Sequence, residues 1–252
     1  NKLSNQAITI TGKNIEENLK NTECKNRQVI LDYNKPIKEN AGFLVLKSNF
    51  FDSAIMKMSV VSDDFNKRYL SNKDHPMEFT ARAIIFDGPE HYHAEINNPD
   101  LNIDENCILM IRGCGPVGYP GAAEVVNMQP PDHLLKKGIS SLPCLGDGRQ
   151  SGTSESPSIL NVSPEAAVGG KLAIVQNNDK VKVDLINKRV DLLVEEDEIN
   201  QRIKNNKFKY PPNQTPWQEI AREYVGQLGE GACLDLKEKY LDIAKEKGIP
   251  RD

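Results

Sequence analysis

Residues 111–157 read IRGCGPVGYPGAAEVVNMQPPDHLLKKGISSLPCLGDGRQSGTSESP and contain eight of the chain's 17 glycines. Glycine at this density is typical of backbone that turns at positive φ or approaches a ligand closely. The stretch also holds one carboxylate in an otherwise apolar run, Glu124, and a Ser/Gly/Thr turn that begins at Gly148. We therefore predict that the chemistry of the protein is centred here.

Short apolar runs of strand length surround this stretch. NCILMIR (106–112) leads into it, ARAIIFDG (81–88) precedes it, and residues 141–145 inside it predict a further buried strand. After Gly170, the runs KLAIVQ, KVKVDL and RVDLLV predict an antiparallel meander of three strands. Many short strands with few long helices indicate a mixed α/β fold with a β-barrel or β-sandwich core.

The composition of the chain changes at both ends. Residues 1–40 are polar and are interpreted as a linker or the end of a preceding domain, and residues 41–212 as the barrel-like domain. Residues 213–252 predict a helical extension with two amphipathic helices. The first has apolar residues at i, i+3, i+4 and i+7, namely Trp217, Ile220, Ala221 and Tyr224.

Charge and cysteine usage exclude several classes of function. A net charge of -4 gives no electrostatic reason to expect nucleic acid or an anionic membrane as a partner. No apolar run approaches the roughly 18 residues that span a bilayer. The five cysteines form no CxxC pair, so we expect reduced thiols and a cytoplasmic protein without a zinc ribbon.

Glu124 is a candidate metal ligand. A carboxylate among small apolar residues is costly to bury unless it is paired or binds a cation. Its hard oxygens would suit Mg²⁺. The alternative is a strand residue whose side chain points to solvent, which is the usual environment of glutamate.

Ser151 and Thr153 are candidate reactive or ligand-binding hydroxyls. Ser151 lies in GDGRQSGTS, close to Arg149, so this turn could bind an anion or present a nucleophilic oxygen. Thr153 could orient the same ligand. Both residues could also belong to an ordinary surface turn, because Gly, Ser and Asp favour turns for conformational reasons.

Other patterns carry less weight. His91 and His93 could bind a metal, but no third ligand stands nearby. GCGPVGYPG is not a dinucleotide fingerprint, because two prolines interrupt it and no βαβ unit is expected around it.

Four segments together resemble one known family. FDGPEHYH, IRGCGPVGYPGAAEVVNM, LPCLGDGRQSGTSESPSILNVSPEAAVGG and the closing GIPRD are similar, in this order, to the dihydroxyacid and sugar-acid dehydratases. GDGRQSGTS with YPGAAEVVNM resembles the pentonate branch, the arabinonate and xylonate dehydratases. The similarity runs from about residue 42 to the end of the chain.

The resemblance implies a C-terminal, β-barrel-like swivelling domain related to that of aconitase. It implies that Glu124 is the domain's ligand to Mg²⁺, that Ser151 is the catalytic base and that Thr153 assists. The reaction implied is dehydration of an aldonate to a 2-keto-3-deoxy acid. Branched-chain dihydroxyacid dehydration and a non-catalytic swivelling binding module are the alternatives.

The remaining requirements of such an enzyme would lie outside this chain. The resemblance implies a [2Fe–2S] cluster held by cysteines of an absent N-terminal domain, which also supplies the other Mg²⁺ ligands. None of the five cysteines here has that context, so we expect no cluster-binding residue in this chain. The chain also lacks an initiator Met. We expect an inactive piece of a homodimeric or homotetrameric enzyme.

Overall fold

A computed structural model of the chain describes residues 3–39, 41–121, 128–151, 157–235, 240, 242–243 and 246–248. The chain divides into two units, Asn1–Asn40 and Ala41–Asp252. The three-part division made from the sequence stays a prediction.

The first unit is built from local hydrogen bonds. Its helix α1 (Ile15–Leu19) begins at a capping box, in which Asn14 accepts from the Glu17 amide and Glu17 accepts from the Asn14 amide. An isolated antiparallel bridge joins Ile8 to Asn14. None of the described residues 3–39 is buried, so this unit has no apolar core among them.

The second unit contains a mixed eight-stranded sheet in the order β1-β2-β6-β5-β4-β3-β7-β8. The strands are β1 (Phe43–Leu46), β2 (Ser53–Lys57), β3 (Glu78–Asp87), β4 (Cys107–Arg112), β5 (Cys144–Gly146), β6 (Ser158–Ser163), β7 (Lys180–Asp184) and β8 (Arg189–Leu192). The central strands β3, β4, β5 and β6 run parallel to one another. The outer strands pair antiparallel.

The two outer strands meet, and this closes the sheet. Lys47, just after β1, forms a parallel bridge with Arg189 at the start of β8. The Lys47 amide donates to the Lys188 carbonyl at 3.0 Å, and the Val190 amide donates to the Lys47 carbonyl at 2.9 Å. The predicted mixed α/β, barrel-like fold is therefore confirmed.

Alternation along β4 explains why this strand is apolar throughout. Ile108 and Met110 belong to one buried cluster, shared with residues of β6, β7 and β8. Leu109 and Ile111 belong to a second cluster that includes residues of the neighbouring helices. A strand covered on both faces needs apolar residues at every position, and each such side chain contributes roughly 1.5–3 kcal/mol on burial.

Short helices connect the strands. They are α2 (Asp63–Phe65), which continues into a π-helical turn (Asn66–Leu70), α3 (Gly88–Glu95), α4 (Asp132–Leu135), α5 (Glu196–Lys204) and α6 (Pro216–Tyr224). Single 3-10 turns cover Met58–Val60, Pro99–Leu101, Ala166–Val168, Lys171–Ile174 and Leu228–Glu230. Most of the second predicted C-terminal helix falls outside the described residues.

The structure differs from the sequence predictions in two places. Lys171–Ile174, predicted as the first strand of a meander, is a 3-10 turn, and only β7 and β8 form a hairpin. Its apolar side chains are buried although the segment pairs with no strand. The sequence pattern alone does not distinguish such a buried turn from a strand. A βαβ unit also precedes the glycine-rich stretch, because β3, α3 and the parallel strand β4 follow in order.

Candidate functional site

Three parallel strands end side by side at one edge of the barrel. Ile111 of β4 is in register with Gly146 of β5, and Leu145 of β5 with Ile159 of β6. Because parallel strands point the same way, the segments that follow them emerge at the same edge. These segments are residues 113–118 (the glycine loop), residues 147–151 (containing the serine turn, residues 148–151) and residues 164–166.

The glycine loop packs too closely for side chains at two of its glycines. A Cβ added at Gly115 would lie 2.5 Å from Glu165 Oε2, and one added at Gly118 would lie 2.7 Å from the Gly113 carbonyl oxygen. The glycines therefore permit close backbone packing here. The interpretation of this stretch as a close-approach region is consistent with this geometry.

Asp147 fixes the start of the glycine loop. It is fully buried, and its carboxylate accepts from the amides of Gly113 (2.9 Å), Cys114 (2.8 Å) and Ala166 (3.0 Å). Burial raises the pKa of Asp147 to about 6, although the three amide bonds favour its charged form. One side chain thus ties together the segments that follow β4, β5 and β6.

Glu165 fixes the other end of the glycine loop. It is also fully buried, and it accepts from the amides of Val117 (2.9 Å) and Gly118 (2.8 Å). The Gln227 side chain donates to Glu165 Oε1 at 2.9 Å and accepts from the Glu165 amide at 2.8 Å. Both carboxylate oxygens of Glu165 therefore accept a hydrogen bond from the protein.

Sequence reasoning missed both of these carboxylates. Asp147 follows a short apolar run directly, within LGDG, and this was the available signal, because a polar residue at the carboxyl end of a parallel strand lies at the usual site edge. Glu165 follows a proline and precedes two alanines, which indicates the start of a helical turn and not a buried carboxylate. A 3-10 turn does follow at Ala166–Val168, but the Glu165 side chain makes no capping bond to it.

The C-terminal helix α6 contacts the same loop. Arg222 donates through Nε to the Val117 carbonyl at 2.8 Å and through Nη2 to the Gly118 carbonyl at 3.2 Å. Its guanidinium lies 4.4 Å from the ring centroid of Tyr210, a cation–π contact. At Val117 and Gly118, Glu165 accepts from the backbone amides and Arg222 of α6 donates to the backbone carbonyls.

Ser151 is buried, with 7% of its surface exposed. The turn before it is held by Asn161 of β6. The backbone amide of Asn161 donates to the Gly148 carbonyl at 2.9 Å, and its side-chain Oδ1 accepts from the Gln150 backbone amide at 2.7 Å. Gln150 Nε2 in turn donates to the Ser151 carbonyl at 3.2 Å. This buried, bonded environment argues against an ordinary surface turn. The other two predicted site residues, Glu124 and Thr153, lie outside the described residues.

A cavity of about 240 Å³ borders the glycine loop. Gly113, Gly118 and Tyr119 form part of its wall, and Arg112 and Arg222 contribute cationic side chains. Arg112 is already engaged, because it donates to the carbonyls of residues 173 and 175. The glycine loop therefore borders a cavity on this side.

The histidine pair makes local contacts. His91 Nδ1 accepts from the Asp87 amide at 2.9 Å, and the His93 ring packs at 5.0 Å from that of Tyr92. Within the part of the chain that the structure describes, no three His, Cys, Asp or Glu side chains are grouped as a metal site.

Three of the five free cysteines, Cys107, Cys114 and Cys144, are buried. Burial raises the pKa of Cys107 to about 11 and raises that of Cys114 well above its ordinary value. The thiols of Cys107 and Cys114 therefore stay protonated at neutral pH and pack as small apolar side chains.

Comparison with known proteins identifies the family. Residues 28–232 match the family model for the C-terminal part of dihydroxy-acid and 6-phosphogluconate dehydratases. The chain belongs to this family. The resemblance found in the sequence motifs is thereby confirmed, and the barrel with its glycine loop corresponds to the C-terminal part that this family model describes.

Relatives in the family act on several acids, according to their names. The chain is 54% identical over 250 residues to D-xylonate dehydratase of Caulobacter vibrioides, covering 99% of this chain and 42% of the relative. It is 35% identical to L-arabinonate dehydratase of Rhizobium leguminosarum (93% and 39% covered) and 33% identical to dihydroxy-acid dehydratase of Clostridium kluyveri (94% and 40% covered). The chain thus spans about two fifths of the length of these relatives.

No helix among the described residues is long and apolar enough to cross a membrane.

Proposed function

We propose that this chain is the C-terminal part of a hydro-lyase that dehydrates a sugar acid, a pentonate such as D-xylonate or L-arabinonate, to a 2-keto-3-deoxy acid. The observation that carries the proposal is the 54% identity to a D-xylonate dehydratase along 99% of this chain. The buried Ser151 at the strand edge where parallel sheets bind ligands is consistent with it.

The proposed reaction requires a base. Dehydration removes the proton from C2 of the acid and the hydroxyl from C3 as water, and the resulting enol becomes the 2-keto acid. We assign Ser151 Oγ as the base that takes the C2 proton. A serine hydroxyl is a weak base, so it must act as an alkoxide beside cationic charge. The hydrogen bonds that hold the backbone before Ser151 support this role, because a positioned base needs a fixed backbone.

Glu124 is proposed as the ligand that this chain offers to Mg²⁺. Both buried carboxylates among the described residues, Asp147 and Glu165, already accept backbone amides with both oxygens. They are therefore poor ligand candidates, whereas a glutamate oxygen is of the hard type that Mg²⁺ prefers. When bound, Mg²⁺ supplies a Lewis acid that polarises the substrate's carboxylate side and acidifies the C2 proton. Thr153 is proposed to assist Ser151.

A [2Fe–2S] cluster does not fit the buried cysteines of this chain. Cys107 bonds to Asp104, Cys144 bonds to backbone carbonyls, and the thiols of Cys107 and Cys114 resist ionisation as described above. We therefore propose that the cluster, the remaining Mg²⁺ ligands and a share of the substrate pocket belong to an N-terminal domain. The enzyme is proposed to be a cytoplasmic homodimer or homotetramer, and this chain alone to be inactive.

The test uses the full-length protein that contains this chain, purified without oxygen and assayed with Mg²⁺ for 2-keto acid formation. We expect turnover of D-xylonate or L-arabinonate, and a fall in kcat of about 10²–10⁴-fold for Ser151→Ala, the usual contribution of a positioned base. Ser140→Ala, at an exposed serine before β5, is the matched control and should leave kcat unchanged.

Three results would contradict different parts of the proposal. Turnover of a branched-chain 2,3-dihydroxy acid with none of the pentonates would favour the branched-chain dihydroxyacid dehydratase instead; one Clostridium relative is named a dihydroxy-acid dehydratase. Wild-type turnover by Ser151→Ala would remove the serine from the mechanism. Tight binding of sugar acids by a protein that turns over none of these acids would favour the non-catalytic binding module.

A further inference from the structure

Asn161 has an unusual backbone conformation within β6. Its φ is +58°, in the left-handed region, which costs non-glycine residues roughly 1–2 kcal/mol but is tolerated best by asparagine and aspartate. The pairing of β2 with β6 also changes register here: Ile55 pairs with Leu160, and Ser53 pairs with Ser163. Two steps along β2 therefore match three along β6, which makes Asn161 part of a β-bulge.

A bulge changes the direction of a side chain that regular pairing would place elsewhere. Two polar groups of Asn161 reach the serine turn. Its backbone amide donates to the Gly148 carbonyl at 2.9 Å, and its side-chain Oδ1 accepts from the Gln150 backbone amide at 2.7 Å. These two hydrogen bonds, called the bracket below, hold the backbone of residues 148–150. Ser151 is the next residue.

The bracket extends to Ser151 through a second amide side chain. Gln150 Nε2 donates to the Ser151 carbonyl at 3.2 Å. The backbone on each side of Gln150 thus has a hydrogen bond that restricts its rotation. The backbone that leads to the Cα of Ser151 is therefore held by the hydrogen bonds of Asn161 and Gln150.

We propose that Asn161 is a positioning residue for Ser151: its side-chain oxygen, aimed by the bulge, holds the serine turn in the orientation that proton abstraction needs. This inference rests on the proposed function of Ser151. Asn161 would act through the backbone of residue 150, without touching the substrate. Displacement of a reacting group by about 1 Å can reduce the rate about 10²-fold, so loss of the bracket should lower kcat and leave substrate binding nearly unchanged.

Asn161→Gly is the decisive substitution. Glycine keeps the left-handed backbone and the backbone amide bond to Gly148, and it removes the side chain with its Oδ1 acceptor. In the full-length enzyme, we expect kcat to fall about 10–100-fold, with KM within about 3-fold of the wild-type value. Asn161→Asp keeps an acceptor oxygen at the same position and should restore kcat to within about 3-fold of wild type.

Asn102→Gly is the matched control. Asn102 is also left-handed, with φ +48°, and its side chain donates to the Asp100 carbonyl in the turn before β4. The same substitution there should leave kcat and KM unchanged. Folding of each variant is checked by circular dichroism. If Asn161→Gly does not fold, Asn161→Asp gives the test, because a folded Asn161→Asp with kcat more than about 3-fold below wild type would overturn the inference.

The outcomes separate this inference from the proposed function. Wild-type turnover by Ser151→Ala would overturn the assignment of Ser151 as the base, and the role of Asn161 with it, while the dehydration of a pentonate would stand. A large loss for Ser151→Ala together with wild-type kcat for folded Asn161→Gly would overturn the role of Asn161 alone. A rise in KM at constant kcat, or a failure of Asn161→Asp to restore kcat, would also overturn it, because the acceptor oxygen would then not be what orients the serine.

Discussion

Asp147 offers the sharpest test of the electrostatics beneath the site. Its folded-state pKa of about 6 stands against an ordinary value of 3.8, because burial outweighs three amide hydrogen bonds. Between these two values, the folded protein holds a proton that the unfolded chain has released. The free energy of unfolding therefore falls as pH rises through this range, by about 3 kcal/mol in total.

The substitution Asp147→Asn isolates this titration, because an amide side chain does not ionise in this range. We expect the stability difference between wild type and variant to move by about 2 kcal/mol in favour of the variant from pH 4.5 to pH 7.5, the part of the transition within that window. The variant also directs an NH₂ group at backbone amides, a fixed cost of about 1–3 kcal/mol at both pH values.

The assay is urea unfolding at each pH, followed by circular dichroism. Fluorescence is less suitable, because the single tryptophan, Trp217, is 78% exposed. Asp74→Asn, at an exposed aspartate, is the control and should follow the wild-type curve. Parallel curves for wild type and Asp147→Asn would refute the raised pKa, and a shift in the opposite direction would mean that the three amides outweigh burial.

Two further predictions concern the thiols and the C-terminal segment. At pH 8, iodoacetamide should modify exposed Cys233 in the native protein and leave Cys114 unmodified, because Cys114 is buried and its pKa is raised. Peptide mass spectrometry measures the modification, and labelling of Cys114 in the native protein would contradict the prediction. Arg222→Met removes the donors to the glycine loop and should speed hydrogen exchange at the Val117 and Gly118 amides and lower stability by about 1–2 kcal/mol. Arg189→Met, at an exposed arginine paired with Asp191, is its control, and unchanged exchange at the loop would show that α6 does not hold it.

Local patterns in the sequence predicted the elements that depend on local chemistry. The apolar run at 106–112 forms β4 (Cys107–Arg112), and the periodic apolar residues from Trp217 form α6. The glycine-rich stretch does pack closely, and the family follows from motifs in order. Each of these depends on residues adjacent in the sequence or spaced by one structural period.

The tertiary structure decided which distant groups meet. The bridge of Lys47 with Arg189 that closes the barrel joins residues from opposite ends of the sheet. Residues 171–174, apolar like a strand, form a 3-10 turn because their burial comes from packing and not from pairing. Local propensity carries no information about such partners.

The same reason explains the carboxylates and the bracket around Ser151. In the sequence, Asp147 and Glu165 are an aspartate in a glycine turn and a glutamate after a proline. Only the fold shows that they are buried and satisfied by amides of the glycine loop. The sequence by itself placed Ser151 in a segment rich in glycine and serine; the bulge at Asn161, which depends on the pairing of β2 with β6, decided how that segment is held.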